Sequence, residues 1–119
     1  MTYADHQRRA YLEMTEQVGR RWLALFAGDT EMYSAAYWDL LTTLWRHRRP
    51  MRKTDALASM HGIRSAHPAG KYVDAAIQRG LVVEENNPQD ARSKVLRLSD
   101  ETRRRLDGFF DQAAQDVVA

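Results

Sequence analysis

The feature that most constrains this chain is a change of period near its middle. Ahead of Gly80, apolar residues recur at spacings of three and four; from Leu81 to Leu98 they run in short strand-like stretches; after Ser99 the helical spacing returns. The strand-like stretches are Leu81-Val82-Val83 and Val95 to Leu98, on either side of a polar segment from Glu84 to Lys94 that contains Asn86-Asn87-Pro88. Leu96 and Leu98 alternate with Val95 and Arg97, the pattern of a hairpin arm with one face on a core. The chain therefore predicts one hairpin set among helices.

Four helical segments precede it. Tyr11, Met14, Val18, Trp22 and Leu25 form one apolar stripe on a helix over about 4–27. Gly28-Asp29-Thr30 supplies a stop and a new N-cap, with Glu31 acidic in the turn that follows. The second helix carries Tyr33, Tyr37, Leu40, Leu41 and Leu44 inward and ends in the basic run before Pro50. A short third helix opens at Lys53 or Thr54, holds Ala56, Leu57 and Met60, and closes at Gly62. Ser65 caps a fourth, in which Pro68 lies in the first turn and Tyr72, Val73, Ala76 and Ile77 face the core. After the hairpin, Ser99 caps a last helix with Asp100 and Glu101 well placed against its dipole and a stripe of Leu106, Phe109, Phe110, Ala113 and Val117.

A chain of 119 residues, 44% hydrophobic, suits one domain with a real core. No run approaches the roughly 18 apolar residues of a membrane helix, and the first residues carry charges of both signs with no apolar core, so no signal peptide is read. Without cysteine there is no disulfide framework, thiolate nucleophile or cysteine-bound zinc, and a cytoplasmic protein is expected. His6, His47, His61 and His67 show no metal spacing, and neither a phosphate loop, a nucleophile elbow nor a carboxylate pair is evident. We expect no metal, no cofactor and no enzymatic activity.

The formal charge of +2 hides an asymmetry: residues 1–45 carry a net −2, residues 46–79 a net +6 and residues 80–119 a net −2. A basic segment between acidic flanks suits a polyanion, because cations placed along phosphates release condensed counterions. It equally suits a solvated helix end, and charge alone leaves both readings open. Arg46 and Arg48 fit the dipole at a helix C-terminus without any partner. Arg52 and Lys53 stand at the start of the next helix, against its dipole, and are the better phosphate contacts.

The order helix, helix, helix, helix, hairpin, helix, with a turn containing Gly62 between the third and fourth helices, is that of a winged helix-turn-helix: a mainly α fold of the α+β class. Arg79-Gly80-Leu81-Val82, followed by Pro88, Asp90, Arg92, Ser93 and Leu98-Ser99, resembles the MarR-type winged-helix transcription regulators. In that family the pattern runs R-G-L-V, then P-x-D-x-R, then a strand ending in L-S or L-T. The likeness covers about residues 10–118, the first helix only in character.

The resemblance implies a single domain over 1–119, with an N-terminal dimerisation helix (4–27), a helix-turn-helix (53–80), a wing (81–98) and a C-terminal helix (99–118). It implies a homodimeric repressor on double-stranded, inverted-repeat DNA, released by a small aromatic effector. Carried over by position, Ser65, His67, Gly70 and Lys71 face the major groove, Arg92 enters the minor groove, and Asp90 holds the Arg92 guanidinium. With Arg52, Lys53, Arg64 and Lys94 these make the expected DNA-binding set. Trp22, Tyr37, Trp38 and Trp45 could line an effector pocket, or serve as core and dimer interface. Three features depart from the pattern: a turn one residue longer before Val73, Glu84 where a base is common, and one helix after the wing where many relatives have two, which implies a dimer interface that is smaller or built differently.

Gly70 inside a helix costs roughly 1 kcal/mol relative to Ala, and either close approach to DNA or a tight helix crossing would account for it. Two other functions fit the same elements. A protein-docking module would use the acidic Glu84-Glu85 arm, and a replication or mobile-element factor would use the same DNA chemistry for another purpose.

Overall fold

The computed structural model describes residues 1–118; Ala119, the last residue of the expected domain, lies outside them. The chain runs α1 (Asp5–Leu25), a 3₁₀ turn (Thr30–Met32), α2 (Ala35–Arg46), β1 (Met51–Arg52), α3 (Lys53–Ala58), α4 (Ala66–Gln78), β2 (Val82–Asn87), β3 (Asp90–Leu98) and α5 (Asp100–Val118). It divides into two compact units, one of Met1–Tyr33 with the chain from Asp107 onward, the other of Ser34–Leu106. Among the described residues no helix is long and apolar enough to cross a membrane.

The first unit is organised around Trp22. Its ring meets Phe26 and Phe109 edge-on, at 5.1 and 5.4 Å between centroids, and its indole N–H donates to the Met32 carbonyl at 2.8 Å. Trp22 is the one buried residue of α1, and Tyr11, expected on the inner stripe, is 66% exposed. The stripe is real as a period but only its C-terminal end finds a partner within this unit.

The connection after α1 also departs from expectation. The Asp29 carboxylate accepts the Glu31 N–H at 3.0 Å and caps only the three-residue 3₁₀ turn. The cap of α2 is Ser34, whose hydroxyl oxygen accepts the Tyr37 N–H at 3.2 Å. Tyr33 therefore precedes α2 rather than facing inward on it, and is exposed. Its ring lies against Gly19, where a Cβ would come within 3.0 Å of the phenol oxygen.

The second unit holds the larger core: Leu40, Leu41 and Leu44 of α2, Ala56 and Met60, Ala69, Val73 and Ala76 of α4, Val82, Leu96 and Leu98 of the sheet, and Leu106 of α5. The sheet is antiparallel in the order β1-β3-β2. β1 was not expected: two residues after Pro50 are too few to show an alternation, yet Met51 pairs with Leu96 and Arg52 with Val95. β3 is thus a central strand, and Val95 and Leu96, which point to opposite faces, are both buried. The strands also run further than their apolar ends, because polar side chains join across them: Arg97 to Glu85, and Lys94 to Asn86.

Two contacts close this unit. Ser99 caps α5 as expected, its hydroxyl oxygen accepting the Thr102 N–H. Arg103 donates to the carbonyls of Leu44, Trp45 and His47 at 3.1–3.3 Å, satisfying the C-terminal end of α2.

Candidate nucleic-acid interface

α4 presents two faces. Ala69, Val73 and Ala76 are buried, whereas His67, Lys71, Asp74 and Gln78 are exposed, and seven residues of helix bring 67 and 74 back to nearly the same direction. Ser65 takes the N-cap position in an extended conformation, but its hydroxyl makes no capping bond and no acid lies in the first turn. The start of α4 therefore keeps backbone donors and a hydroxyl that an anion could use. Arg64, one residue earlier, is exposed; neither it nor Lys71 has an ion-pair partner among the described residues.

Gly70 lies between His67 and Lys71. Its φ is ordinary for a helix, and a Cβ built there would meet nothing within 4 Å. The tight-crossing explanation for this glycine therefore fails within the described chain. α3 is shorter than its apolar residues suggest: Met60 and Gly62 lie in the connection 59–65, not on the helix.

The hairpin tip is stitched by its own side chains. The Asn87 carbonyl oxygen accepts the Gln89 N–H at 3.0 Å, while its amide donates to Ser93 at 2.9 Å. The register shifts between Asn86 and Asn87, so Asn87 faces Asp90. The Asp90 carboxylate accepts the backbone N–H of Arg92 at 3.0 Å. That corrects its expected role: it fixes the Arg92 backbone and leaves the guanidinium exposed, with no ion-pair partner among the described residues.

The base of the sheet is different. Lys53 pairs with Glu84 at 2.8 Å, Arg97 with Glu85 at 2.8 Å, and Arg52 with Asp55 at 3.2 Å. A phosphate approaching Arg52 or Lys53 would have to compete with a carboxylate already in place. Lys94 donates to the Asn86 side-chain oxygen and has no carboxylate partner among the described residues. Sequence reasoning could not see the Lys53–Glu84 pair, which joins residues 31 apart through an unforeseen strand.

The four aromatic residues named for an effector pocket are divided between the two units. Trp22 belongs to the core of the first unit. In the second unit Tyr37 is buried against Tyr72, with ring centroids 5.1 Å apart, while Trp38 is 37% exposed and Trp45 half-buried. Among the described residues no group of three or more His, Asp or Glu could hold a metal.

No protein-family model and no curated protein matches the sequence. Solved structures do. A single-residue mutant of MepR from S. aureus, bound to an oligodeoxyribonucleotide, aligns over 99% of this chain and 83% of its own at 19% identity and a TM-score of 0.72. The transcriptional repressor CouR, bound to a 23-mer DNA duplex, aligns over 96% and 71% at 24% identity and a TM-score of 0.59. A Bacillus cereus structure described as MarR-like aligns over 96% and 81% at 14% identity and a TM-score of 0.58. The chain has the MarR-type winged-helix fold. Within that fold α4 is the helix after the turn, and β2 and β3 form the wing, as the sequence predicted.

Proposed function

We propose that the chain is a sequence-specific DNA-binding regulator that acts as a homodimeric repressor. In this reading α4 enters the major groove, the hairpin tip enters the minor groove, and the two copies of α4 lie about one helical turn, roughly 34 Å, apart on an inverted repeat. The observation that carries it is the state of Arg92: an exposed guanidinium at the end of a hydrogen-bonded hairpin, with its backbone N–H held by Asp90 and no ion-pair partner among the described residues. Such a group suits the enhanced negative potential of a narrow minor groove. Arg64, Ser65, His67 and Lys71 supply the helix side of the same contact, and Lys94 a phosphate contact beside the tip. Arg52 and Lys53 contribute only in exchange for their carboxylates.

The docking-module alternative loses ground because Glu84 and Glu85, the acids it would use, are taken up by Lys53 and Arg97. The homodimer has support in α1 and the residues just before it, where Tyr3, Tyr11 and Leu12 are all more than half exposed and Tyr3 and Tyr11 line an apolar hollow with Gln7 and Arg8. A regulator of this kind works in the cytoplasm, where it reaches its DNA. For the aromatic effector we favour Trp38 and Trp45, which keep exposed surface, so an acid that releases the DNA should alter tryptophan fluorescence.

The test is a fluorescence-anisotropy titration on the DNA upstream of its own gene, with scrambled duplex as competitor, at two salt concentrations. A complex that survives competitor at about 0.15 M salt supports a sequence-reading regulator. Equal binding of both duplexes, lost together as salt rises, overturns it.

A further inference from the structure

Two residues of α4 have no task in the fold, and they lie one helical turn apart. Gly70 costs helix stability and gives nothing back: its φ is negative, and no neighbour occupies the space a side chain would fill. The contrast is Gly19, whose missing side chain makes room for Tyr33. Asp74 is the second. The strongly basic segment 46–79 contains two acids, Asp55 and Asp74. Asp55 stands in the first turn of α3, favourable to the dipole, and pairs with Arg52. Asp74 is mid-helix, exposed, and has no hydrogen-bond or ion-pair partner among the described residues. Even Lys71, three residues away on the same face, does not pair with it.

A bare carboxylate on a face meant for phosphates weakens binding to every duplex, since it repels the backbone. It is useful only if it reaches a hydrogen-bond donor, and among base edges in the major groove the donors are the exocyclic amines. An acidic side chain, which can only accept, matches the N4 amine of cytosine. Reaching a base edge from the middle of a helix requires the backbone to come close, and Gly70 is the place where α4 carries no side chain to hold it off.

We propose that Gly70 and Asp74 form the sequence-reading centre of α4, Gly70 as the point of closest approach and Asp74 as acceptor for the N4 amine of a cytosine in each half-site. This rests on the DNA-binding reading above. Asp74 then acts by discrimination: it lowers affinity for all DNA and lowers it least where the cytosine is present.

The experiment is selection from a library of random-sequence duplexes by the full chain, followed by anisotropy on the selected duplex and on one changed only at the C·G pair. Wild type should enrich an inverted repeat with one strongly preferred C·G pair in each half. Asp74→Ala should lose the preference at that pair, a discrimination of about fivefold to a hundredfold, while binding scrambled duplex as well as wild type or better. Gly70→Ala should raise the midpoint of thermal unfolding by a few degrees and weaken binding to the selected duplex at least tenfold. A glycine needed only for folding would instead lower the midpoint on replacement and leave binding by the folded protein unchanged. If Asp74→Ala enriches the same motif with the same preference at every position, the role of Asp74 is wrong; if Gly70→Ala binds like wild type, the role of Gly70 is wrong. Failure of wild type to enrich any motif overturns the DNA-binding reading itself, and this inference with it.

Discussion

The two ends of the same hairpin treat charge in opposite ways. At its base, Glu84 and Glu85 each hold a cation, Lys53 and Arg97, in half-buried or partly exposed pairs beside a packed strand. At its tip, the Asn87 and Asp90 side chains accept backbone N–H groups, shape the backbone and leave the Arg92 guanidinium without an ion-pair partner among the described residues. Both ends are rich in charged residues, and a count along the sequence cannot tell them apart. The difference lies in partners. The base uses its charges to join the start of α3 to β2 and β2 to β3, whereas the tip holds itself with side-chain-to-backbone contacts and keeps its cation for something outside the chain.

That contrast makes unequal predictions for the two ends. The largest effect belongs to the base: Leu96 is fully buried on the central strand, between β1 and β2. Leu96→Ala should cost about 2–5 kcal/mol of stability, measured by urea unfolding. A cost under about 1 kcal/mol would mean that the base is not what holds the wing. Arg92→Ala should leave stability within about 0.5 kcal/mol of wild type, as surface changes do. It should weaken specific binding roughly tenfold and flatten the dependence on salt by about one phosphate's worth or less. Unchanged affinity and slope would remove Arg92 from the interface.

What the sequence disclosed, and what it withheld, follows the same division. The order of the helices, the turn at Gly80 and the hairpin were legible because each leaves a local mark: a period, a glycine at positive φ, a polar tip between apolar ends. Ser99 as a cap was legible for the same reason. β1 was not, since two residues carry no period, and with it the Lys53–Glu84 pair stayed hidden. The start of α2 was misplaced because Asp29 and Ser34 are both good caps, and only the structure shows that the first serves a 3₁₀ turn. In the first unit the apolar stripe of α1 predicted more burial than the structure shows, with Tyr11 66% exposed. In the candidate interface, residue types on α4 and the tip were readable from position, but the availability of each cation was not, because it depends on carboxylates far along the chain. Asp74 had a signal, three residues from Lys71 on one helix face, and charge counting passed over it.

The sharpest way to break the contrast is to convert a base charge into a tip-like one. Glu84→Gln removes the carboxylate from Lys53 and keeps the shape of the side chain. The lost pair is partly exposed, so stability should fall by no more than about 1 kcal/mol. The freed ammonium would then meet DNA without competition. Non-specific affinity should rise several-fold, and the salt dependence should steepen by about one further phosphate contact. Arg97→Ala is the matching control with the smallest effect, a loss below about 1 kcal/mol in stability. DNA affinity should not change, because Arg97 is committed to Glu85 and Asp100. If Glu84→Gln leaves the salt slope where it was, Lys53 lies outside the interface and its pair serves only the fold. If Arg97→Ala weakens DNA binding as Arg92→Ala does, base and tip are one contact surface, and the division drawn between them is wrong.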